Sequence, residues 1–252
     1  MQKRLFLGLI LFILGLSGVF SLLFVDLPMG SIPPEVLDKV SPKTLKWLML
    51  INPAIMLFVS IFLGIFTFNK VGLRSPILGK LSGLYEQDFN WKEILIYGIA
   101  LGTLAGALIV LVSHFYKQSF PAEFALLNKD VNLHIAARIL YGGITEEILT
   151  RFGLMSLFVY LFSFVVKSPP ELKFWLGIIV SSLLFAAGHL PVVFQAVSQP
   201  GVSTIAYIII GNSIAGLLFG WLYWKKGLES AMIGHMVAHL CMIMLGNIFQ
   251  IS

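Results

Sequence analysis

Tyr141-Gly-Gly-Ile-Thr-Glu-Glu-Ile-Leu-Thr-Arg-Phe-Gly-Leu-Met155 places two adjacent glutamates, Glu146 and Glu147, and an arginine, Arg151, inside an otherwise apolar run. No charged residue follows within the next ten positions to help solvate them. What surrounds this stretch decides the fold. The chain has 252 residues, of which 58% are hydrophobic and only 12% charged, with a mean hydropathy of +0.93. Soluble domains carry about 25% charged residues, so this chain belongs in a membrane and its length is best counted in spans.

A bilayer crossing needs about 20 apolar residues. Such runs fall at 5–25, 46–68, 93–115, 133–166, 173–190, 202–224 and 228–249. The expected fold is therefore all-α, a polytopic transmembrane bundle of seven to eight helices. The range comes from the fourth run, which is too long for one simple crossing: a tilted helix gives seven, and a break near Gly142-Gly143 or Gly153 gives eight. The first run follows Lys3 and Arg4 and lacks a small-x-small cleavage site, so it reads as an uncleaved anchor.

Loop charges give the orientation. With seven spans and a cytoplasmic N-terminus, ten basic residues lie inside: Lys3, Arg4, Lys70, Arg74, Lys80, Lys92, Lys167, Lys173, Lys225 and Lys226. Five lie outside: Lys39, Lys43, Lys46, Lys117 and Lys129. Counting the fourth run as two crossings would put Lys167 through Lys226 on the wrong side. An integral, multi-pass protein with its N-terminus in the cytoplasm follows, in the inner or cell membrane if the source is bacterial. The net charge of +5 is scattered between apolar runs, so no nucleic-acid partner is expected. The single cysteine, Cys241, excludes an intramolecular disulfide.

Small residues recur every fourth position at Gly98, Gly102 and Gly106 and at Asn212, Gly216 and Gly220. Such stripes let helix backbones approach closely in lipid. Residues 26–45 and 69–92 read as polar loops, the second with room for a short amphipathic piece. Two parts are expected: residues 1–130, with three spans and their loops, and residues 131–252, holding the polar cluster.

The ionisable residues left inside spans are Arg138, Glu146, Glu147, Arg151, His189, His235 and His239, with Glu229 near a helix end. Each charge at the bilayer centre costs about 2.5–3.5 kcal/mol even on the lenient insertion scale. They should face the bundle interior and satisfy one another. Glu147 and Arg151 stand i,i+4 with the acid first, the arrangement for a structural ion pair. Glu146 lies about 100° around the helix and escapes that pairing, which leaves it free to act as a base. His235 and His239 are also spaced i,i+4 and face one way, while His189 closes Phe185-Ala-Ala-Gly-His189.

Imidazole and carboxylate are ligands that zinc prefers, so Glu146, His189, His235 and His239 are also a candidate metal set. One tension is visible: His189 lies near the outer end of its span and His235 nearer the inner end of its own. Tilt, or helix continuing past Pro191, would bring them level.

Glu-Glu-x-x-x-Arg at 146–151, Phe-x-x-x-His at 185–189 and a late histidine, His235, at the place of a His-x-x-x-(Asn/Asp) motif resemble the signature of the CPBP intramembrane proteases. That family comprises the type II CAAX prenyl proteases and the bacterial Abi proteins of bacteriocin processing and immunity. The segment Phe219-Gly220-Trp-Leu-Tyr223 through Ile233 is similar to the family's stretch before its final histidine. The resemblance covers residues 133–245, and it is the order and spacing of the motifs that carry it.

The resemblance implies peptide-bond hydrolysis in membrane-anchored peptides or proteins. In the family's pattern Glu146 activates water with His189 beside it, while His235 and its partner bind the oxyanion. Glutamate-only and zinc-dependent schemes are both compatible with these residues, since a metal-bound water has a pKa near 7. The chain departs from the pattern at His239, where the family has Asn or Asp. A neutral histidine can still donate one hydrogen bond to an oxyanion.

Two other readings use the same residues. The cluster could only organise the bundle of a non-catalytic immunity or scaffold protein. It could instead serve as the relay of a proton-coupled transporter, although few polar residues outside the cluster are on hand to line a route.

Overall fold

Without water to pair with, a backbone inside a bilayer must satisfy its own hydrogen bonds, and a single segment does so only as a helix. The computed structural model describes residues 1–26, 35, 38–128, 134–197 and 199–249. Among them seven helical segments are long and apolar enough to cross a membrane: Gln2–Phe24, Pro42–Val71, Trp91–Ser119, Ala137–Val165, Leu172–Ala196, Val202–Lys226 and Leu228–Ile248. The described regular structure is entirely helical. The chain is thus an all-α, multi-pass membrane bundle, and the fourth run is one crossing.

That fourth span is the centre of the bundle. Its first half packs on the first and seventh spans, and its second half on the second and fifth. It is wound wider than an α-helix, as π-type turns over Ala137–Glu146 and Ile148–Met155, before reverting to α-helix at Ser156–Val165. Wide turns of this kind tend to occur at functional sites. The span neither breaks at Gly142-Gly143 nor at Gly153. Those glycines instead seat its neighbours: a Cβ on Gly143 would lie 2.4 Å from Met236 Cγ, and one on Gly153 2.6 Å from Ser60 Cβ.

The glycine stripes set the other two helices that matter. Gly98, Gly102 and Gly106 lie against the seventh span; a Cβ on Gly102 would meet the Gly234 carbonyl at 2.3 Å. Gly216 and Gly220 face Ser182 and Ile178 of the fifth span. Asn212, the third member of its stripe, donates to the Ile208 carbonyl of its own helix at 2.9 Å.

The loops hold more helix than polarity alone suggests. Segment 69–92 contains a short helix, Pro76–Leu81, and its residues roof the start of the seventh span. Leu228 N–H donates to the Arg74 carbonyl (3.0 Å). Glu229, buried, accepts from Ser75 Oγ (2.7 Å) and Leu78 N–H (2.8 Å). Gly227 takes φ +102°, and a Cβ there would lie 2.3 Å from Pro76 Cδ. Within loop 26–45 a helix already begins at Pro42, capped by Ser41. Residues 27–34, 36, 37 and 129–133 lie outside the described residues, and with them Lys129 and the boundary expected at 130/131.

Candidate active site

The fifth span is helical over Leu172–Ala187 and again over Leu190–Ala196. His189 sits at the joint, half-buried, so helix does continue past Pro191. The seventh span starts buried beneath residues 74–78, with Leu228 and Ser230 fully enclosed. These two features remove the mismatch in depth between the histidines. Phe185 links them, its ring 4.7 Å from that of His189 and 6.3 Å from that of His235. His189, His235 and Arg138 all lie within electrostatic range of His239.

Around His235 the contacts are closer. Its ring stacks on Phe219 (4.9 Å) and on His239 (4.9 Å). Nδ1 lies 2.9 Å from Glu147 Oε1, and Nε2 lies 3.8 Å from Glu146 Oε2. An ionised carboxylate only accepts, so His235 Nδ1–H donates to Glu147 and Nε2 is turned toward Glu146. The other oxygen of Glu147 lies 3.3 Å from Arg151 Nε, with both side chains fully buried. That approach is an ion pair without hydrogen-bond geometry. Among the described residues the buried Arg151 nitrogens find no acceptor, and the guanidinium instead lies 5.6 Å from the centre of the Phe185 ring.

The expected division between the two glutamates therefore needs one correction. Glu147 does pair with Arg151, but that uses one carboxylate oxygen; the second holds His235. The i,i+4 spacing could reveal the first partner because it lies on the same helix. It could not reveal the second, 88 residues away in sequence. Glu146 differs from its neighbour in exposure, with 19% of its side chain accessible against none for Glu147. Tyr141, one turn earlier, lies within electrostatic reach of Glu146.

His189 Nδ1 is 2.9 Å from the Phe185 carbonyl. A carbonyl can only accept, so Nδ1 carries the proton and Nε2 is left for another partner. His239 is pressed against Gly142, where a Cβ would lie 2.5 Å from its Nε2. Its Nδ1 is buried and has no hydrogen-bond partner among the described residues. Leaving such an atom unpaired costs about 1–3 kcal/mol, a cost that a bound polar group would relieve.

The same hydrogen bonds bear on zinc. The Nδ1 bonds of His235 and His189 leave each Nε2 available, as in many metal-ligating histidines, but no group of three or more His, Cys, Asp or Glu among the described residues is arranged to hold a metal ion. The donor set Glu146, His189, His235 and His239 does not fit the ion as it stands, and no step below is routed through one.

Comparison with known families bears on the second half of the chain. Residues 128–241 fit the family model described as type II CAAX prenyl endopeptidase Rce1-like. No curated protein and no solved structure matches the chain.

Proposed function

Because residues 128–241 belong to the CPBP/CAAX family of membrane proteases, we propose that this protein is an intramembrane endopeptidase that uses Glu146 to activate water. The observation that carries the proposal is the placement of one imidazole, His235, between two carboxylates of unlike exposure. Buried Glu147 holds its Nδ1–H at 2.9 Å, and accessible Glu146 faces its Nε2 at 3.8 Å.

Glu146 takes a proton from water as the water oxygen attacks the scissile carbonyl carbon. The carbonyl π electrons move to oxygen, and the oxyanion so formed needs hydrogen-bond donors. His235 can donate through Nε2 only when both ring nitrogens carry protons, since Nδ1–H is committed to Glu147. In that form Glu146, Glu147, Arg151 and His235 together carry no net charge, which suits a low-dielectric interior. His239, stacked on His235 with a ring nitrogen unpaired, is the second donor. Collapse of the oxyanion breaks the C–N bond while the proton held by Glu146 passes to the leaving amine. The products are a carboxylic acid and an amine, and transfer of the acid's proton to the amine leaves a carboxylate and an ammonium group. His189, fixed by its bond to the Phe185 carbonyl, orients the water through its free Nε2.

The bilayer and a membrane-anchored peptide or protein are the partners this reading requires. The loop charges support a cytoplasmic N-terminus. The direct test incubates the purified protein with a membrane-anchored reporter peptide in ¹⁸O-water and analyses the products by mass spectrometry. Hydrolysis puts one ¹⁸O into a single new carboxylate at an internal bond. Intact reporter across a panel of anchored sequences, with folded protein, would contradict the proposal and favour a scaffold.

A further inference from the structure

Away from the glutamate cluster, the ends of the second and sixth spans and the start of the seventh enclose a second feature. Arg74, Pro76, Trp224, Lys225, Lys226 and Gly227 line a cleft of about 400 Å³ at the membrane boundary. Three of these residues are cations. Lys226 is neutralised by Glu93, whose Oε2 is 2.5 Å from its Nζ. Arg74 and Lys225 are exposed, and neither forms an ion pair among the described residues.

Aromatic rings mark the depth. Lys225 Nζ lies 3.5 Å from the centre of the Trp224 ring. Trp224 in turn stacks on Phe174 at 4.8 Å and meets Trp175 edge-on at 5.8 Å. Tryptophan concentrates at the headgroup level of a bilayer. The cleft is also held open by rigid contacts: the Leu228 N–H to Arg74 carbonyl bond, the packing of Gly227 on Pro76, and the grip of Glu229 on Ser75 and Leu78.

We propose that this cleft binds the phosphodiester headgroup of an anionic membrane lipid, with Arg74 and Lys225 pairing with the phosphate. Basic clefts beside spans collect anionic lipids because each cation near the surface adds to the attraction. A zwitterionic lipid brings its own cation against Arg74 and Lys225 and gains little. A free phosphate offers the same charge but no acyl chains to lie along the apolar flank of the sixth span. The bound lipid would brace the turn at Gly227, from which the helix carrying His235 and His239 begins. The proposal does not depend on the chain being a protease.

The test uses the full-length protein in neutral detergent, titrated calorimetrically with dioctanoyl phosphatidylglycerol, dioctanoyl phosphatidylcholine or inorganic phosphate. Saturable binding of phosphatidylglycerol alone, with a raised melting temperature, is expected. Each lost cation should weaken that binding about fivefold, so R74Q/K225Q should weaken it about 25-fold. Equal binding of the two lipids, or phosphate binding as tightly as phosphatidylglycerol, would overturn the proposal. So would a double variant that binds within about threefold of the parent protein. A melt in detergent alone checks that the variants fold, and Lys225→Gln by itself, on an exposed side chain, serves if the double variant does not.

Discussion

Replacing Glu147 by glutamine separates its two duties. The substitution leaves the Arg151 guanidinium in a fully buried site whose nitrogens already lack hydrogen-bond acceptors among the described residues. Removing one partner of a buried ion pair costs about 3–5 kcal/mol, so E147Q alone should melt far below the parent protein. E147Q/R151M removes both charges at similar volume, and such exchanges are often neutral or stabilising. The double variant should therefore recover most of the lost stability. Catalysis should not recover, because the charge-assisted bond from His235 Nδ1–H to Glu147 at 2.9 Å is still gone. Such bonds contribute about 1.5–3 kcal/mol, which corresponds to about 10- to 150-fold in kcat/KM. Detergent melts and cleavage of an anchored fluorogenic peptide read the two quantities separately. A double variant that folds and cleaves at nearly the parent rate would reduce Glu147 to an ion-pair partner and refute the role given to it.

Three further outcomes follow from the same geometry. Gly142→Ala sets a methyl 2.5 Å from His239 Nε2, whereas Gly143→Ala meets only the flexible Met236 side chain at its closest point; kcat should fall in the first and change little in the second, with both expected to fold. His239→Ala should lose about 10²–10³-fold in kcat as an oxyanion donor is removed, and His239→Asn should restore most of it. Outside the membrane, the hydrogen bond and charge of Lys80 hold the Asp88 carboxyl below its ordinary value. A depressed pKa contributes stability above the unfolded value that is lost as pH falls through the folded one. Parent and Asp88→Asn melting curves should thus differ slightly at neutral pH and converge in acid, the difference being small because the pair is exposed.

The seven spans were legible because apolar length is a one-dimensional signal, and a helix in lipid needs little else. The ion pair Glu147–Arg151 was legible for a similar reason: both residues lie on one helix, where spacing implies proximity. The glycine stripes announced close helix contacts but not their partners. That Gly102 meets Gly234, and so fixes the helix carrying His235, is a fact of tertiary packing. The bond from His235 to Glu147 was hidden for the same reason. Spacing within one segment says nothing about an imidazole arriving from another. The sequence left the relative level of His189 and His235 open, because a span counted as straight ends where its apolar run ends. The actual chain turns at Gly188-His189 and continues as Leu190–Ala196. The wide turns of the fourth span left no mark in composition at all.

The account rests most heavily on Glu146, and one measurement reaches it directly. Glu146→Gln leaves the Glu147–Arg151 and Glu147–His235 contacts in place, so the variant should melt close to the parent. A positioned general base contributes about 10²–10⁴-fold, and single-turnover cleavage of the anchored reporter should slow by at least that lower figure. A folded Glu146→Gln protein that still cleaves within a few-fold of the parent rate would contradict the assignment of Glu146 as the group that activates water.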